Sequence, residues 1–225
     1  MTLPTMDRSR GPSGVTTAPL SIVWLCVLSV SEYAAAGKKI EVPEQACPGC
    51  GRRLGGWSGY KRPVRAGRDY RIWIRRGRCK PCNRTHALLP DFVHERRYDA
   101  VEVIGGALEM SIGGRGMKKV AEDFGVPHST ARDWRRRHRA RAPSLVMHFA
   151  DLTTRLGASV GEVSTESEQA ALWLLKAAWR RASEILAIAA LGLWRFWNAM
   201  CGGQALGTNT IPPLLATEES SSMRG

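Results

Sequence analysis

Apolar side chains recur at helical spacing in the middle of the chain. A first helix is predicted by five apolar positions: Ala100, Val101, Ile104, Leu108 and Ile112. After a glycine-rich linker at residues 113–116, the segment MKKVAEDFGVPHSTARDWRR (residues 117–136) has a small residue, Ala121, and a turn glycine, Gly125, four positions later. Its inward positions are all apolar: Val120, Phe124, Val126, Ala131 and Trp134. This pattern predicts a three-helix, helix-turn-helix domain over residues 94–141.

A strand-like alternation precedes these helices. In residues 70–75 (YRIWIR), Tyr70, Ile72 and Ile74 fall on one face, and the intervening residues fall on the other. The strand leads directly into Cys79, so it predicts a short antiparallel sheet within a compact unit over residues 43–90.

A third apolar pattern covers residues 172–200. It follows a 3-4-3-4 spacing through Leu172, Leu175, Trp179, Ala182, Leu186, Ala189, Leu193, Phe196 and Met200. The pattern predicts a helical region over residues 143–201, in which a helix over residues 172–200 packs either against residues 144–156 or across a homodimer. Beyond it, residues 202–225 are rich in Gly, Pro and Ser and are predicted to be a flexible tail.

Positive charge is concentrated in the central segment. Residues 47–142 hold 23 Lys and Arg against nine Asp and Glu, whereas the flanks are nearly neutral. Such a segment suits a polyanionic partner, because each phosphate neutralised by Lys or Arg releases counterions. The alternative is a basic protein whose charge only keeps it soluble.

Four of the six cysteines form two close pairs, Cys47 with Cys50 and Cys79 with Cys82, separated by 28 residues. Two such pairs can close a tetrahedral site, so they predict structural Zn²⁺ in a zinc ribbon. Gly51 and Asn83 suit the left-handed turn that ends each knuckle. Two alternatives fit the four cysteines less well. A redox dithiol needs only one of the pairs, and a catalytic zinc needs a coordination position open to water, which four thiolates do not leave. His86 could replace a ligand, but with four cysteines present it is predicted to lie at the surface or to contact phosphate.

The second helix of the motif is predicted to enter the major groove of double-stranded DNA. Arg132 is the best candidate for a bidentate guanine contact, and Asp133 could accept from cytosine or orient an arginine. The predicted DNA-binding residues are Lys118, Lys119, His128, Ser129, Arg132, Asp133, Arg135, Arg136, Arg137 and Arg139. The alternative is a helical protein-binding domain with a solvated basic face.

The first 42 residues are predicted to be a disordered leader. An apolar run at residues 20–30 follows Arg8 and Arg10 and has the features of an export signal, but it is too short to span a bilayer comfortably. A reduced-thiol metal motif and a DNA-binding motif both favour a cytoplasmic protein.

Taken together, CPGCG, RIWIRRGRCKPCNRTHALLP and VAEDFGVPHSTARDWRRR resemble bacterial zinc-ribbon and helix-turn-helix proteins related to the N-terminal DNA-binding region of insertion-sequence transposases. The resemblance implies Cys47, Cys50, Cys79 and Cys82 as zinc ligands and residues 129–137 as the recognition region. A transposase nuclease needs three carboxylates holding metal ions. The seven acidic residues after Arg141 lie in helical or loose sequence, so no catalytic residue is assigned.

The sequence therefore predicts a mainly α protein with a small β zinc ribbon, a three-helix helix-turn-helix and C-terminal apolar helices. Its predicted function is sequence-specific DNA binding, as a transcriptional regulator or a transposition-related accessory, without enzymatic activity. The alternative is a protein-interaction adaptor.

Overall fold

A four-stranded mixed sheet forms one half of the protein. The computed structural model describes residues 20–186 and 191–207. The sheet has the order β1-β4-β3-β2, with β1 at Ser21–Trp24, β2 at Gly55–Ala66, β3 at Arg68–Cys79 and β4 at Arg84–Pro90. Strands β2, β3 and β4 are antiparallel neighbours, whereas β1 pairs with β4 in parallel. Ile72 and Ile74 are fully buried, which confirms the alternation predicted for β3.

Residues 20–42 belong to this half of the fold, so the prediction of a disordered leader is wrong for them. After β1, helix α1 (Val30–Ala36) begins with a capping box in which Ser29 and Glu32 exchange hydrogen bonds. Tyr33 on α1 is fully buried, and its hydroxyl donates to the Trp73 carbonyl at 3.1 Å. Residues 1–19 lie outside the described part of the chain.

Five further helices form the second half: α2 (Val101–Ile112), α3 (Met117–Asp123), α4 (His128–Arg155), α5 (Ser167–Leu186) and α6 (Leu193–Met200). The first three of them lie where the sequence predicted three helices. Val120, Val126, Ala131 and Trp134 are buried in their shared core, with Phe124 packed against it. Helix α4 runs for 28 residues and continues through the predicted boundary at residues 141–143.

The C-terminal apolar stripe is divided between two helices. Helix α5 is described as far as Leu186, and α6 begins after Gly192, which has extended backbone angles, so the prediction of one helix over residues 172–200 is wrong. Leu175, Ala182 and Phe196 share a core with Leu145 and Phe149 of α4. These residues therefore pack within the chain, which is one of the two predicted alternatives. Ala189 lies outside the described residues.

The prediction of a mainly α fold with a small ribbon is therefore wrong. Strands β2 and β3 have 12 residues each, and the apolar run interpreted as a leader supplies a fourth strand. The sheet also has a core of its own, which includes Tyr33, Val64, Ile72, Phe92 and Val101.

Residues 193–207 join the sheet to the helices. Asn198 donates to the carbonyls of Asp91 and Val93 at 2.8 and 3.0 Å, and the Leu206 N–H donates to His94 Nε2 at 3.2 Å. Leu206 is fully buried, so the predicted flexible tail is wrong for residues 202–207; residues 208–225 are not described. Among the described residues, no helix combines the length and the apolar character needed to cross a bilayer.

Candidate metal centre and nucleic-acid interface

The four paired cysteines converge on one point. The sulfurs of Cys47, Cys50, Cys79 and Cys82 all lie within 4.8 Å of one another. The Cys47–Cys82 and Cys50–Cys79 sulfurs are 3.9 and 3.4 Å apart, close to the separation of roughly 3.8 Å that a tetrahedron with 2.3 Å metal–sulfur bonds requires. The cluster could therefore hold one metal ion with no position left open.

Each pair sits in a tight turn. In the first, the N–H groups of Cys50 and Gly51 donate to the Cys47 carbonyl, and in the second the Asn83 N–H donates to the Lys80 carbonyl. Gly51 and Asn83 have φ values of +69° and +50°, which confirms their predicted left-handed geometry. Both turns thus present their sulfurs to the same side.

The surroundings of the sulfurs tune their protonation. The Arg52 N–H first, and the thiols of Cys82 and Cys79 next, lower the pKa of Cys50 to about 7, whereas hydrogen bonding with Cys50 and Cys79 raises the pKa of Cys82 to about 12. Cys50 is therefore the first of the two to become the thiolate that a metal needs. His86 is fully buried, with Nε2 3.7 Å from the Cys47 sulfur. The prediction that His86 lies at the surface or contacts phosphate is therefore wrong, and the residue supports the cluster from inside.

The predicted DNA-binding residues lie on α3 and on the first three turns of α4. Lys118, Lys119, His128, Ser129 and Arg132 are exposed. A depression of about 530 Å³ lies between the start of α3 and α4, lined by Met117, Ser129, Arg132, Asp133, Arg135, Arg136 and Arg139. Arg132 forms no ion pair within residues 20–186 and 191–207, so its guanidinium is available to a ligand.

Carboxylates hold the other predicted arginines of α4. Asp133 accepts from Arg136 at 2.6 Å and from Arg137 at 2.7 Å, and these arginines keep the pKa of Asp133 below its ordinary value despite partial burial. Of the two roles predicted for Asp133, its contacts match that of orienting arginines.

Glu168, on the first turn of α5, accepts hydrogen bonds from a second pair of α4 arginines. It accepts from Arg135 at 3.1 Å and from Arg139 at 3.0 Å, and its pKa falls to about 2 because of His138 first and these arginines next. Arg135 also donates to the Ser111 carbonyl, and this contact ties α4 to α2.

A second cleft, of about 440 Å³, connects the sheet to the start of α4. Arg65 of β2 lines it together with Arg97, Tyr98 and Thr130. Arg96, which has the left-handed φ of +58°, turns the chain there and also lines the cleft. This cleft shares Ser129 and Asp133 with the larger depression, so one concave surface extends from the hairpin to the outer face of α4.

Sequence reasoning missed Arg65, Arg96, Arg97 and Glu168. The Arg96-Arg97 pair directly before the first predicted helix was a usable signal. Nothing in the sequence connects Glu168 with arginines about 30 positions earlier, because that contact depends on how α5 packs on α4.

Part of the chain matches a known protein family. Residues 47–139 match a family described as a domain of unknown function (DUF6431). The matched region begins at the first cysteine of the cluster and ends at Arg139, so it contains the metal centre, the second cleft and the depression on α4. No curated protein and no solved structure matches the chain.

Proposed function

We propose that this protein binds double-stranded DNA sequence-specifically, through the concave surface that joins the β2–β3 hairpin to α4. The observation that carries the proposal is the position of Arg132. It is exposed on the outer face of a helix that follows a tight turn at Gly125, and its guanidinium has no carboxylate partner among the described residues. Arg132 can therefore form the bidentate contact that discriminates guanine in the major groove.

The ion pairs suggest which residues contact bases and which contact phosphates. His128, Ser129 and Arg132 face the base edges, while Lys118 and Lys119 contact phosphates, Lys119 with less net charge because it pairs with Glu122 and Asp123. Arg135, Arg136, Arg137 and Arg139 are held by Asp133 and Glu168, so they offer less net charge to DNA than their number implies.

The metal in this proposal is zinc, in a structural role. Four sulfur ligands within 4.8 Å of one another fit Zn²⁺ and leave no position for a water molecule. The metal would fix the turn before β2 and the turn after β3, and so hold the open end of the hairpin together.

The resemblance to transposase DNA-binding regions leads us to propose one of two roles in the cell: a transcriptional regulator or an accessory to transposition. The match that joins the metal cluster and the three helices in one family region supports a shared task for them. We also propose a homodimer, through a surface other than the apolar stripe that packs within the chain; its two-fold symmetry would place half-sites about one turn of DNA apart.

Selection of bound sequences from random duplexes, with the metal-loaded full chain, tests the function. We expect a consensus sequence, and a palindromic one if the protein is a dimer. Arg132→Ala should lower the preference for the consensus over scrambled DNA about tenfold to a hundredfold, because a bidentate base contact contributes roughly 1–3 kcal/mol of discrimination.

Two variants serve as controls. Lys118→Ala should weaken binding to consensus and scrambled DNA equally, and Arg180→Ala, which removes an exposed arginine on α5, should change neither. Enrichment of terminal inverted repeats would support the transposition role. Absent or salt-insensitive DNA binding would overturn the proposal.

A further inference from the structure

The outer face of the β2–β3 hairpin carries positive charge that no carboxylate neutralises. The strand register places Lys61 opposite Trp73, and Arg71 and Arg75 lie two positions to either side of Trp73. Side chains at alternate positions of a strand share a face. Lys38, from the 3₁₀ turn at Gly37–Lys39, lies over the Trp73 ring, 5.0 Å from its centroid.

These four cations, Lys38, Lys61, Arg71 and Arg75, define what we call the cationic hairpin face. Within the described ranges 20–186 and 191–207, none of them forms an ion pair. Asp69 lies on the same face and keeps its negative charge while it accepts the Tyr98 hydroxyl at 2.7 Å, but it forms no ion pair with any of these four cations. The contrast with α4 is sharp, because Arg135, Arg136, Arg137 and Arg139 all contact Asp133 or Glu168.

Neutral groups hold Arg75, one of the four cations, in a fixed position. Arg75 donates to the carbonyls of Ile40 and Lys38 at 2.9 and 2.8 Å. Carbonyl acceptors position a guanidinium without cancelling its charge, so Arg75 is held in place as a full positive charge before any ligand arrives, next to the exposed Lys61 and Arg71.

The Trp73 ring is not open for base stacking. One side of it lies against Gly59, where an added Cβ would come within 2.6 Å of the ring, and Lys38 lies over the ring as well. The ligand should therefore be recognised by charge. Arg71 and Arg75 are separated by about 13 Å along the strand, a span that covers several phosphates of one DNA strand.

We propose that the cationic hairpin face is a second DNA-contacting site, which binds the phosphate backbone of the duplex that α4 reads and adds affinity without sequence preference. The inference rests on the proposed function, because it assigns the ribbon a direct contact with the same duplex. The ribbon would then bind DNA as well as support the fold.

The double variant Lys61→Ala/Arg71→Ala tests this site in the metal-loaded full chain. Both side chains are exposed and make no hydrogen bond or ion pair within the described residues, so their removal should leave the fold intact. We expect affinity for consensus and scrambled duplexes to fall by the same factor, about tenfold at 0.1 M salt. The salt slope should decrease by roughly 1.8, which corresponds to two phosphate contacts.

The matched control is Arg155→Ala/Arg180→Ala, which removes the same charge from α4 and α5 away from the hairpin and should preserve both affinity and slope. Unchanged DNA binding in Lys61→Ala/Arg71→Ala would overturn the inference. If Arg132→Ala still lowered discrimination in that case, the proposed function would stand. If the unmodified chain did not bind DNA measurably, the proposed function and the inference about the hairpin face would both fail.

A membrane surface is the competing ligand for a cationic face. Vesicles containing phosphatidylserine provide the comparison. Vesicle binding that is lost in Lys61→Ala/Arg71→Ala, together with unaltered DNA affinity, would assign the face to lipid and overturn the inference.

Discussion

Gly105, in the interior of α2, is a residue whose identity the fold requires. A Cβ built at this position would lie 1.9 Å from Cδ2 of Trp194. Glycine costs about 1 kcal/mol relative to alanine within a helix, so helix propensity alone favours replacement. The close approach of the Trp194 ring explains why a glycine occurs there, and it joins α2 to the start of α6.

We expect Gly105→Ala to lower the free energy of unfolding by about 1–3 kcal/mol, because the displaced tryptophan costs more than the helix gains. Urea denaturation followed by tryptophan fluorescence measures the change. Gly161→Ala, where no atom lies within 4 Å of the added Cβ, should leave stability within about 0.5 kcal/mol. A stabilised Gly105→Ala would show that Trp194 does not pack against α2 as described.

Individual residues were predictable where local geometry decides their role. The left-handed turns at Gly51 and Asn83 follow from the knuckle sequence alone, and so does the burial of Ile72 and Ile74. His86 was not predictable in this way, because its burial depends on how the hairpin folds back over Cys47. Asp133 was assigned two possible roles, and only the packing of Arg97, Arg136 and Arg137 around it favours one.

At the scale of elements, periodicity predicted helices α2, α3 and the start of α4 well, because each has an apolar stripe that packs on one core. The strand β1 escaped prediction. Its four residues lie within a longer apolar run that has the features of a leader, and a parallel partner 66 positions later leaves no local trace. The break between α5 and α6 was equally hidden, since the 3-4-3-4 spacing continues through it.

The two cysteine turns together form a site that can bind one metal ion. We expect about one zinc per chain in protein purified under reducing conditions, measured by mass spectrometry of the metal after gel filtration. Cys50→Ser should reduce that content to near zero, because three thiolates and a weak hydroxyl ligand no longer complete the tetrahedron.

Cys26→Ala is the matched control for the metal measurement. Cys26 is buried beside Asp91 and lies outside the four-sulfur cluster, so its loss should leave the zinc content unchanged. Full zinc content in Cys50→Ser, or none in the unmodified chain, would remove zinc from the proposal.

For the whole molecule, the seam at residues 91–94 and 193–207 decides how the sheet meets the helices, and it contains two buried groups that titrate in opposite directions. Burial lowers the pKa of His94 to about 4, with Arg97 and Arg62 adding to the effect. Burial raises the pKa of Asp91 to about 6, although Arg195 opposes this shift. Neither pKa shift could be predicted from the sequence, because both depend on packing between the halves.

The two groups should therefore offset each other as pH changes. Between pH 6.5 and 4 the unfolded chain protonates His94 while the folded chain does not, so acidification removes stability. Between pH 6 and 3.8 the folded chain protonates Asp91 first, so acidification restores stability. Each shift amounts to about 3 kcal/mol at 1.36 kcal/mol per pH unit, and their sum should be small.

Substitution separates the two contributions. His94→Gln keeps an acceptor for the Leu206 N–H but cannot titrate, so between pH 7 and pH 4 its stability relative to the unmodified chain should rise by about 3 kcal/mol. The stability of Asp91→Asn relative to the unmodified chain should fall by a similar amount between pH 7 and pH 4. Comparing each variant with the unmodified chain by urea denaturation at each pH cancels metal loss and other titrations common to both. A difference that stays constant with pH for His94→Gln would mean that His94 is not held neutral in this seam, and the close contact between sheet and helices at Leu206 would then have to be wrong.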